Sequence, residues 1–256
     1  MDKSVNDINN IPFVLDETGD FAVVYKPPRM HSAPLKNGGG DTLVDWYAAQ
    51  FPTVKDISGR KEGEGGLLHR LDFETHGLAL FAKNQPALDF LLTQQEQGNF
   101  IKEYSAICQK CDTAPASFPP PPCRLRLSVS PELTGAAIES FFRPFGPGRK
   151  QVRPVTDDNG KGRKEIAKDH GGYYRTEIIN ITNNEYYTFT VRLRRGFRHQ
   201  IRCHLAWIGC PVVNDPIYGE QPVIDDFLAL RSHALFFPDP ASGEQREYRI
   251  EALLYP

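Results

Sequence analysis

The feature that most constrains this chain is the stretch at residues 65–84, GGLLHRLDFETHGLALFAKN, where a charged segment runs directly into an apolar one. Residues 78–82 form a continuous apolar run, which predicts a short buried strand. The charged residues at 69–76 are therefore expected at the end of that strand. Loops fixed by rigid strands commonly carry catalytic side chains. This turn is the first candidate for a functional site.

Asp72 and Arg70 are the residues of this turn with the clearest chemistry. An arginine beside an aspartate favours the ionised carboxylate, which is the form that a nucleophilic carboxylate requires. The alternative is an ion pair that only stabilises a surface turn, because most charged clusters are solvated. The turn by itself leaves both interpretations open.

A second informative stretch, at residues 194–219, reads RRGFRHQIRCHLAWIGCPVVNDPIYG. Together the two stretches resemble the signature of the RluA-type pseudouridine synthases, which carry an HRLD block and later a GRTHQIR block followed by a GDPLYG-type turn. Two long motifs in the same order make a specific match, whereas HRLD alone would be a weak one. In this comparison Asp72 falls on the family's nucleophilic aspartate.

The resemblance implies roles for further residues. Tyr104, together with Lys102, matches the family's KxY element, whose tyrosine lines the active site. Arg202 is the arginine of HQIR, which in the family sits against the catalytic aspartate. Asp72, Tyr104 and Arg202 are therefore the predicted catalytic residues. The predicted substrate-binding residues are His69, Arg70, His199, Gln200, Arg194 and Arg195.

The implied reaction is the isomerisation of uridine to pseudouridine. It breaks the bond from the base nitrogen to the sugar, turns the base and joins its carbon 5 to the sugar, without a redox step. One ionised aspartate can supply the covalent or proton-abstracting step, so we expect no metal and no organic cofactor. Whether Asp72 acts as nucleophile or as base stays open. The target uridine is expected to be extruded from its stack, because a paired nucleotide is inaccessible.

The chain departs from the family pattern at three positions near these motifs. The family's TSG after the aspartate is THG here, with His76 in place of serine. Its GRTHQIR is GFRHQIR here, with Phe197 and Arg198 in place of arginine and threonine. These departures leave two hypotheses: a shifted substrate preference, or a relative that binds RNA without isomerising it.

Because the three predicted catalytic residues are retained, we expect an RNA pseudouridine synthase acting on structured RNA, either ribosomal or transfer RNA. The alternative is a non-catalytic RNA-binding relative of that family. A small-molecule glycosidase is disfavoured, because it would need two carboxylates in partnership and Glu74 is the only nearby candidate for the second.

The net charge of -2 is unusual for a nucleic-acid enzyme, because phosphate binding is largely electrostatic. The uneven distribution of charge along the chain partly explains how a chain of this net charge could bind RNA. Residues 143–168 hold eight basic residues against three acidic ones, and residues 192–202 hold five arginines and no acid. This segregation predicts a basic face that binds RNA. The expected phosphate contacts are Arg143, Arg149, Lys150 and Arg153, with Arg194 and Arg195.

Cysteine and histidine spacing argues against a metal site. The five cysteines form no regular framework, and only Cys108 and Cys111 make a CxxC pair. His199 and His204 are five residues apart, so they do not share a helical face as the histidines of an HExxH site do. The chain has neither a signal-like amino terminus nor an apolar run long enough to cross a bilayer. We therefore expect reduced thiols and a cytoplasmic monomer.

The predicted fold is α+β: a single pseudouridine-synthase catalytic domain with a mixed, largely antiparallel sheet and packed helices. Residues 16–256 are assigned to this domain and residues 1–15 to an acidic tail, with no separate preceding RNA-binding domain. Helices are expected after an N-cap at Asp41, after an N-cap at Asn84, and over residues 199–208. A hairpin is expected around Asn183, and a mobile basic loop over residues 144–164.

Overall fold

The computed structural model describes residues 10–35, 40–111, 115, 117–121, 133–156, 172–219 and 227–253. The chain forms two compact units, and each is drawn from separate stretches of sequence. The first unit comprises Met1–Lys102 and Arg231–Ala252, and the second comprises Glu103–Leu230 and Leu253–Pro256.

The described residues form ten β-strands and three α-helices. The strands are β1 (Phe13–Glu17), β2 (Phe21–Lys26), β3 (His76–Ala82), β4 (Ile101–Cys108), β5 (Ala137–Phe145), β6 (Gln151–Val155), β7 (Tyr174–Asn183), β8 (Tyr187–Leu193), β9 (Leu230–Pro238) and β10 (Gln245–Arg249). The helices are α1 (Leu43–Gln50), α2 (Gln85–Glu96) and α3 (Gln200–Trp207). Short 3-10 helices occur at Pro52–Asp56 and Pro147–Arg149.

The first unit contains a mixed set of strands in the order β1-β2-β3-β9, with β10 beside β9. The β3–β9 pair is parallel and the other pairs of this unit are antiparallel. Every residue of β2 and β3 is buried, which explains why these strands are continuous apolar runs rather than alternating ones. The strand predicted at residues 78–82 is confirmed, and it begins earlier, at His76.

Helices α1 and α2 pack their apolar residues into the core of the first unit. The predicted N-cap of α2 is confirmed, because Asn84 Oδ1 accepts a hydrogen bond from the Ala87 amide at 2.9 Å. The predicted N-cap of α1 at Asp41 is wrong. Thr42 caps this helix instead: its side chain accepts from the Asp45 amide, and the Asp45 side chain accepts from the Thr42 amide. This capping box satisfies two amides, whereas a single cap satisfies one.

The second unit has the strand order β4-β8-β7-β5-β6. The predicted hairpin around Asn183 is confirmed as the antiparallel pair of β7 and β8. Helix α3 contacts β6 and β7, and all eight of its residues are buried. With mostly antiparallel strands and separate helices, the predicted α+β class is confirmed.

The loop predicted at residues 144–164 is wrong in its first half. Residues up to Phe145 continue β5, and β6 returns antiparallel to it through a tight turn. Pro144 lies in β5 and Pro154 in β6. Pro144 lies beyond the residues of β5 that pair with β7, and β6 pairs only with β5 among the described strands. Each proline therefore has one side that forms no strand pairing, where a missing amide hydrogen breaks no hydrogen bond. Residues 157–171 lie outside the described part of the chain. Within the described part, no helix is both long and apolar enough to span a bilayer.

Candidate active site

Asp72 lies in the turn that leads into β3. Its carbonyl oxygen accepts a hydrogen bond from the Thr75 amide at 3.1 Å, which closes the turn, and its side chain is half-buried. The carboxylate is therefore carried by a short connection fixed to a fully buried strand. This position is the one expected of a catalytic group mounted at a strand end.

The buried cation of this turn is Lys26, the last residue of β2. Its Nζ donates to the carbonyl oxygens of Pro27 at 2.9 Å, Met30 at 2.8 Å and Phe73 at 3.3 Å. Burial lowers the pKa of Lys26 to about 7, while the negative charges of Asp72 and Glu74 act in the opposite direction. Lys26 therefore ties the residues after β2 to the Asp72 turn and supplies positive charge near its carboxylate.

The sequence analysis assigned no role to Lys26. Its signal was available, because a lysine ends an otherwise apolar strand and is followed by two prolines whose nitrogens cannot donate hydrogen bonds. A lysine in a fully buried position requires nearby hydrogen-bond acceptors or opposite charges. The sequence could not identify which carbonyls and carboxylates these were.

The sequence suggested that Arg70 would pair with Asp72, but it does not. Its guanidinium contacts the buried carboxylate of Glu64 at 3.2 Å, and its own side chain is 44% exposed. Residues 70 and 72 are only two positions apart in sequence, but the arginine pairs with a carboxylate six positions before it. Within the first unit, the charge of Lys26 interacts with Asp72, whereas Arg70 is paired with Glu64.

His69 and His76 are both buried, and neither ring has a hydrogen-bond partner among the described residues. Burial lowers the pKa of His69 well below its ordinary value, and Lys102 adds to this effect. Burial lowers the pKa of His76 to about 3, with further contributions from Arg231 and Lys26. Both imidazoles are therefore neutral near pH 7, and His76 replaces the family's serine as a packed side chain.

Phe73 is an exposed aromatic residue beside Asp72 that the sequence analysis did not single out. Its side chain is 41% exposed, and its ring centroid lies 4.6 Å from that of His31. The signal was a phenylalanine within a charged motif, where burial in the core is not expected. Aromatic faces of this kind are surfaces on which nucleobases stack.

Arg202 lies in α3 and forms a buried bidentate ion pair in the second unit. Its Nε and Nη2 each donate to the carboxylate of Asp215 at 2.7 Å. Asp215 also accepts from the amides of Ile217 at 2.8 Å and Tyr218 at 3.1 Å. The carboxylate is thus fully hydrogen-bonded, and it fixes the NDPIYG turn to α3.

Asp215 was missed by the sequence analysis, which used NDPIYG only as part of the family signature. The signal was an aspartate that precedes a proline and a turn, where its oxygens can accept from the following amides. Its pairing with Arg202 spans 13 residues and depends on how the turn folds back on α3.

His199 precedes α3 and has a left-handed backbone conformation, with φ of 56°. Its Nδ1 lies 3.3 Å from the Tyr218 hydroxyl. That hydroxyl also accepts from the Val152 amide at 2.9 Å and donates to the Val152 carbonyl at 3.1 Å. Burial raises the pKa of Tyr218, so its phenol stays protonated.

Gln200 was predicted to bind substrate, but its side-chain amide is occupied by protein groups. Its Oε1 accepts from the Phe197 amide at 2.9 Å, and its Nε2 donates to Arg175 O at 3.0 Å and Thr176 Oγ1 at 3.1 Å. Gln200 therefore fixes the start of α3 against β7. Its role toward substrate remains a prediction.

The remaining predicted residues of the second unit divide by exposure. Tyr104 lies in β4 and is only 6% exposed. Arg194 and Arg195 are exposed, and Arg195 lies over the ring of Tyr174 at 4.9 Å from its centroid. Arg194 is 4.0 Å from Glu177. Tyr104 and Arg202 thus belong to the second unit, whereas Asp72 belongs to the first.

The described histidine and cysteine side chains are of the types that metal sites require as ligands. No group of three or more potential metal-binding residues occurs in the described ranges. His204 is instead held between the hydroxyls of Ser140 at 3.0 Å and Thr176 at 2.8 Å. Burial raises the pKa of the Cys108 and Cys203 thiols, so they are neutral near pH 7. Cys123 lies outside the described residues.

Comparison with known sequences identifies one family. The model of the RNA pseudouridylate synthase family matches residues 20–207. The ribosomal large subunit pseudouridine synthase D of Haemophilus ducreyi is 27% identical over 214 residues, which cover 83% of this chain and 54% of that protein. An uncharacterized RNA pseudouridine synthase of Bacillus subtilis is 28% identical over 235 residues, covering 91% of this chain and 66% of that protein. The chain thus spans about half to two thirds of the length of these relatives.

Comparison with solved structures supports the fold. Human RNA pseudouridylate synthase domain containing 1 aligns with a TM-score of 0.63 at 17% identity, covering 94% of this chain and 84% of that chain. Human RNA pseudouridylate synthase domain containing 4 aligns with a TM-score of 0.57 at 15% identity, covering 94% of this chain and 88% of that chain. At these identities the likeness concerns the fold alone.

Proposed function

Because the chain belongs to the RNA pseudouridylate synthase family, we propose that it isomerises uridine to pseudouridine in RNA, with Asp72 as the reacting carboxylate. The observation that carries this proposal is the Asp72 turn. A half-buried aspartate lies in the family's motif position, at the start of a buried strand, with the buried ammonium of Lys26 close enough to interact with it.

The reaction needs one carboxylate and no change of oxidation state. The bond from N1 of the base to C1′ of the ribose breaks, and a bond from C5 of the base to C1′ forms. N1 gains a proton and C5 loses one, so atoms and charge balance. Asp72 assists either by attacking the sugar or by removing a proton from it. Tyr104 and Arg202 are proposed to act with it, and the chemistry requires neither a metal nor an organic cofactor.

Ribosomal RNA is the substrate class that the relatives favour. Several of them, including the proteins of Haemophilus ducreyi and Borreliella burgdorferi, are named ribosomal large subunit pseudouridine synthase D. Transfer RNA is the second class that the sequence motifs allow. The proposal also includes action in the cytoplasm as a monomer.

A non-catalytic RNA-binding protein is the second candidate, and His76 is the observation that favours it. A buried neutral imidazole replaces the serine that the family carries near its aspartate. Retention of Asp72, Tyr104 and Arg202 favours the enzyme. The two candidates differ in one measurable property, since only the enzyme forms pseudouridine.

Asp72→Asn is the decisive variant, because it keeps the size and most hydrogen bonds of the side chain but removes its charge. We expect pseudouridine formation in ribosomal or transfer RNA to be lost while RNA affinity persists, since phosphate contacts supply most of that affinity. The matched control is Glu74→Gln in the same turn, which should stay largely active. Full activity of Asp72→Asn would refute the mechanism. A wild-type protein that binds RNA but forms no pseudouridine would favour the second candidate.

A further inference from the structure

The turn that joins β5 to β6 has an unusual backbone. We call residues 146–150, GPGRK, the 146–150 turn. Gly146 and Gly148 have φ of 76° and 63°, and Arg149 has φ of 54°. A non-glycine residue rarely adopts the left-handed region, because its Cβ then lies too close to the following carbonyl oxygen. The arginine is therefore held in a conformation that it would not favour alone.

Arg198 supplies the contact that holds this turn. Its Nη2 donates to the carbonyl oxygen of Arg149 at 2.7 Å and to that of Gln151 at 3.1 Å. These carbonyls flank Lys150 on either side, so one guanidinium fixes the backbone of the turn to the segment that precedes α3. Arg198 is one of the residues that depart from the family pattern, where threonine is usual.

Phe197, the neighbouring departure, anchors the same hairpin further from its tip. Its ring is stacked on Phe142 of β5, with centroids 5.1 Å apart and planes at 7°. It also contacts the ring of Tyr174 in β7, at 4.9 Å between centroids. The family's arginine at this position could not form this apolar cluster. Both departures therefore fix the β5–β6 hairpin to the start of α3.

The 146–150 turn presents positive charge that carboxylates do not neutralise. Arg149 and Lys150 are exposed, and their side chains have no hydrogen-bond or ion-pair partner among the described residues. Arg198 is exposed and donates only to carbonyl oxygens there. A phosphate group binds preferentially to cations that are not already paired.

We propose that the 146–150 turn is a preformed binding site for the phosphate backbone of RNA. Arg149 and Lys150 contact the phosphates, and Arg198 is the positioning residue that holds their backbone ready. Fixing the turn before binding reduces the conformational entropy that association would otherwise cost. The inference rests on the proposed function for its ligand, because RNA is the substrate assigned to this chain.

The charge of the turn is tested with the double variant Arg149→Asn/Lys150→Gln. Asparagine tolerates the left-handed conformation, so this change removes two charges without adding backbone strain. We expect RNA affinity to fall about 10-fold at low salt, and the slope of log affinity against log salt to become shallower by about 1.5. The KM for RNA should rise while kcat is retained. Lys110→Gln, which removes an exposed charge elsewhere in the second unit, is the control and should change neither quantity.

The role of Arg198 is tested with Arg198→Thr and trypsin. Cleavage after Arg149 and Lys150 should accelerate in this variant without RNA, because the turn is no longer fixed, while cleavage at other sites should not change. Introducing Arg198→Thr into the Arg149→Asn/Lys150→Gln background should add little further loss of RNA affinity, since a positioning residue acts through the residues that it positions. If the losses of RNA affinity were additive and the cleavage rate were unchanged, Arg198 would not be a positioning residue and would contribute only its own charge.

The outcomes separate this inference from the proposed function. A wild-type enzyme whose RNA affinity and salt slope are unaltered by Arg149→Asn/Lys150→Gln would overturn the phosphate site and leave the isomerase intact. A protein that binds RNA through the 146–150 turn but forms no pseudouridine would support the phosphate site and overturn the proposed isomerase function.

Discussion

Lys26 is the residue whose importance is clearest only in the structure. A charged ammonium in a fully buried position is costly unless hydrogen bonds and opposite charges compensate it. Three carbonyl oxygens and the nearby charges of Asp72 and Glu74 offset part of that cost, and burial still lowers the pKa of Lys26 to about 7. One lysine therefore contributes both to the shape of the Asp72 turn and to its electrostatics.

Replacing Lys26 with Met should impair both stability and turnover. The change leaves buried carbonyl oxygens without their donor, which typically costs about 1–3 kcal/mol in the free energy of unfolding. It also removes the positive charge near Asp72, so we expect turnover to fall about 10-fold or more even after correction for the folded fraction. Urea denaturation and pseudouridine assays measure the two effects. Lys55→Met, at an exposed ion pair with Asp45, should change both by little.

Tyr104 can be tested by removing only its hydroxyl. The residue is nearly buried in β4, so Tyr104→Phe should keep the fold. If the hydroxyl takes part in proton transfer, turnover should fall by about 10²-fold or more. Thermal denaturation confirms folding, and single-turnover kinetics measure the chemical step. Normal turnover of the folded variant would reduce Tyr104 to a packing residue.

At the scale of elements, the Arg202–Asp215 pair joins α3 to the turn that follows it. Removing one member of a buried ion pair leaves an uncompensated charge. This matters for any test of Arg202 as a catalytic residue, because loss of activity can arise from loss of folding. The pair therefore has to be tested from both sides.

Arg202→Ala should lower the free energy of unfolding by about 3–5 kcal/mol. Asp215→Asn should cost a similar amount, because it leaves the buried Arg202 guanidinium without its counter-charge, even though the amide oxygen can still accept from the Ile217 and Tyr218 amides. If Arg202 acts in catalysis, turnover per folded molecule should fall in Arg202→Ala and stay close to wild type in Asp215→Asn. Denaturation curves provide the folded fraction for each variant. Equal turnover per folded molecule would leave Arg202 with a structural role alone.

At the scale of the whole molecule, charge is unevenly distributed although the net value is only -2. The buried lysines Lys26 and Lys102 are found in the first unit, and both have lowered pKa values. Exposed cations without a carboxylate partner among the described residues are found in the second unit, at the 146–150 turn. The first group affects stability as a function of pH, and the second is proposed to bind RNA.

The stability of the whole chain should increase with pH just above neutrality. Burial lowers the pKa of Lys26 from 10.5 to about 7 and that of Lys102 to about 8. Between these values and 10.5 the unfolded chain binds more protons than the folded one, so the free energy of unfolding rises with pH, by at most about 1.4 kcal/mol per pH unit and group. Urea denaturation between about pH 7 and 8.5 measures the slope. Lys26→Met should reduce this slope, and an unchanged slope would contradict the assignment.

The sequence by itself determined the family, the α+β class and most elements. Apolar runs such as residues 78–82 and the Asn84 cap are local signals, so they survive without tertiary information. The motif order HRLD before HQIR placed Asp72 and Arg202 among the candidate residues. Local signals did not identify the N-cap of α1, because Asp41 and Thr42 are adjacent and both are residue types that cap helices. The reciprocal contact with Asp45 makes Thr42 the cap.

Only the tertiary structure decided which charges meet. Arg70 pairs with Glu64 instead of Asp72, Arg202 pairs with Asp215, and Lys26 lies near the Asp72 carboxylate. The first part of the predicted basic loop is instead a hairpin of paired strands, and its turn accepts hydrogen bonds from Arg198, which is distant in sequence. A long charged side chain can reach several oppositely charged groups. Which of them it contacts depends on the course of the backbone, and contacts between residues distant in sequence determine that course. Sequence patterns record the residue types required for these contacts, but they do not record the distances.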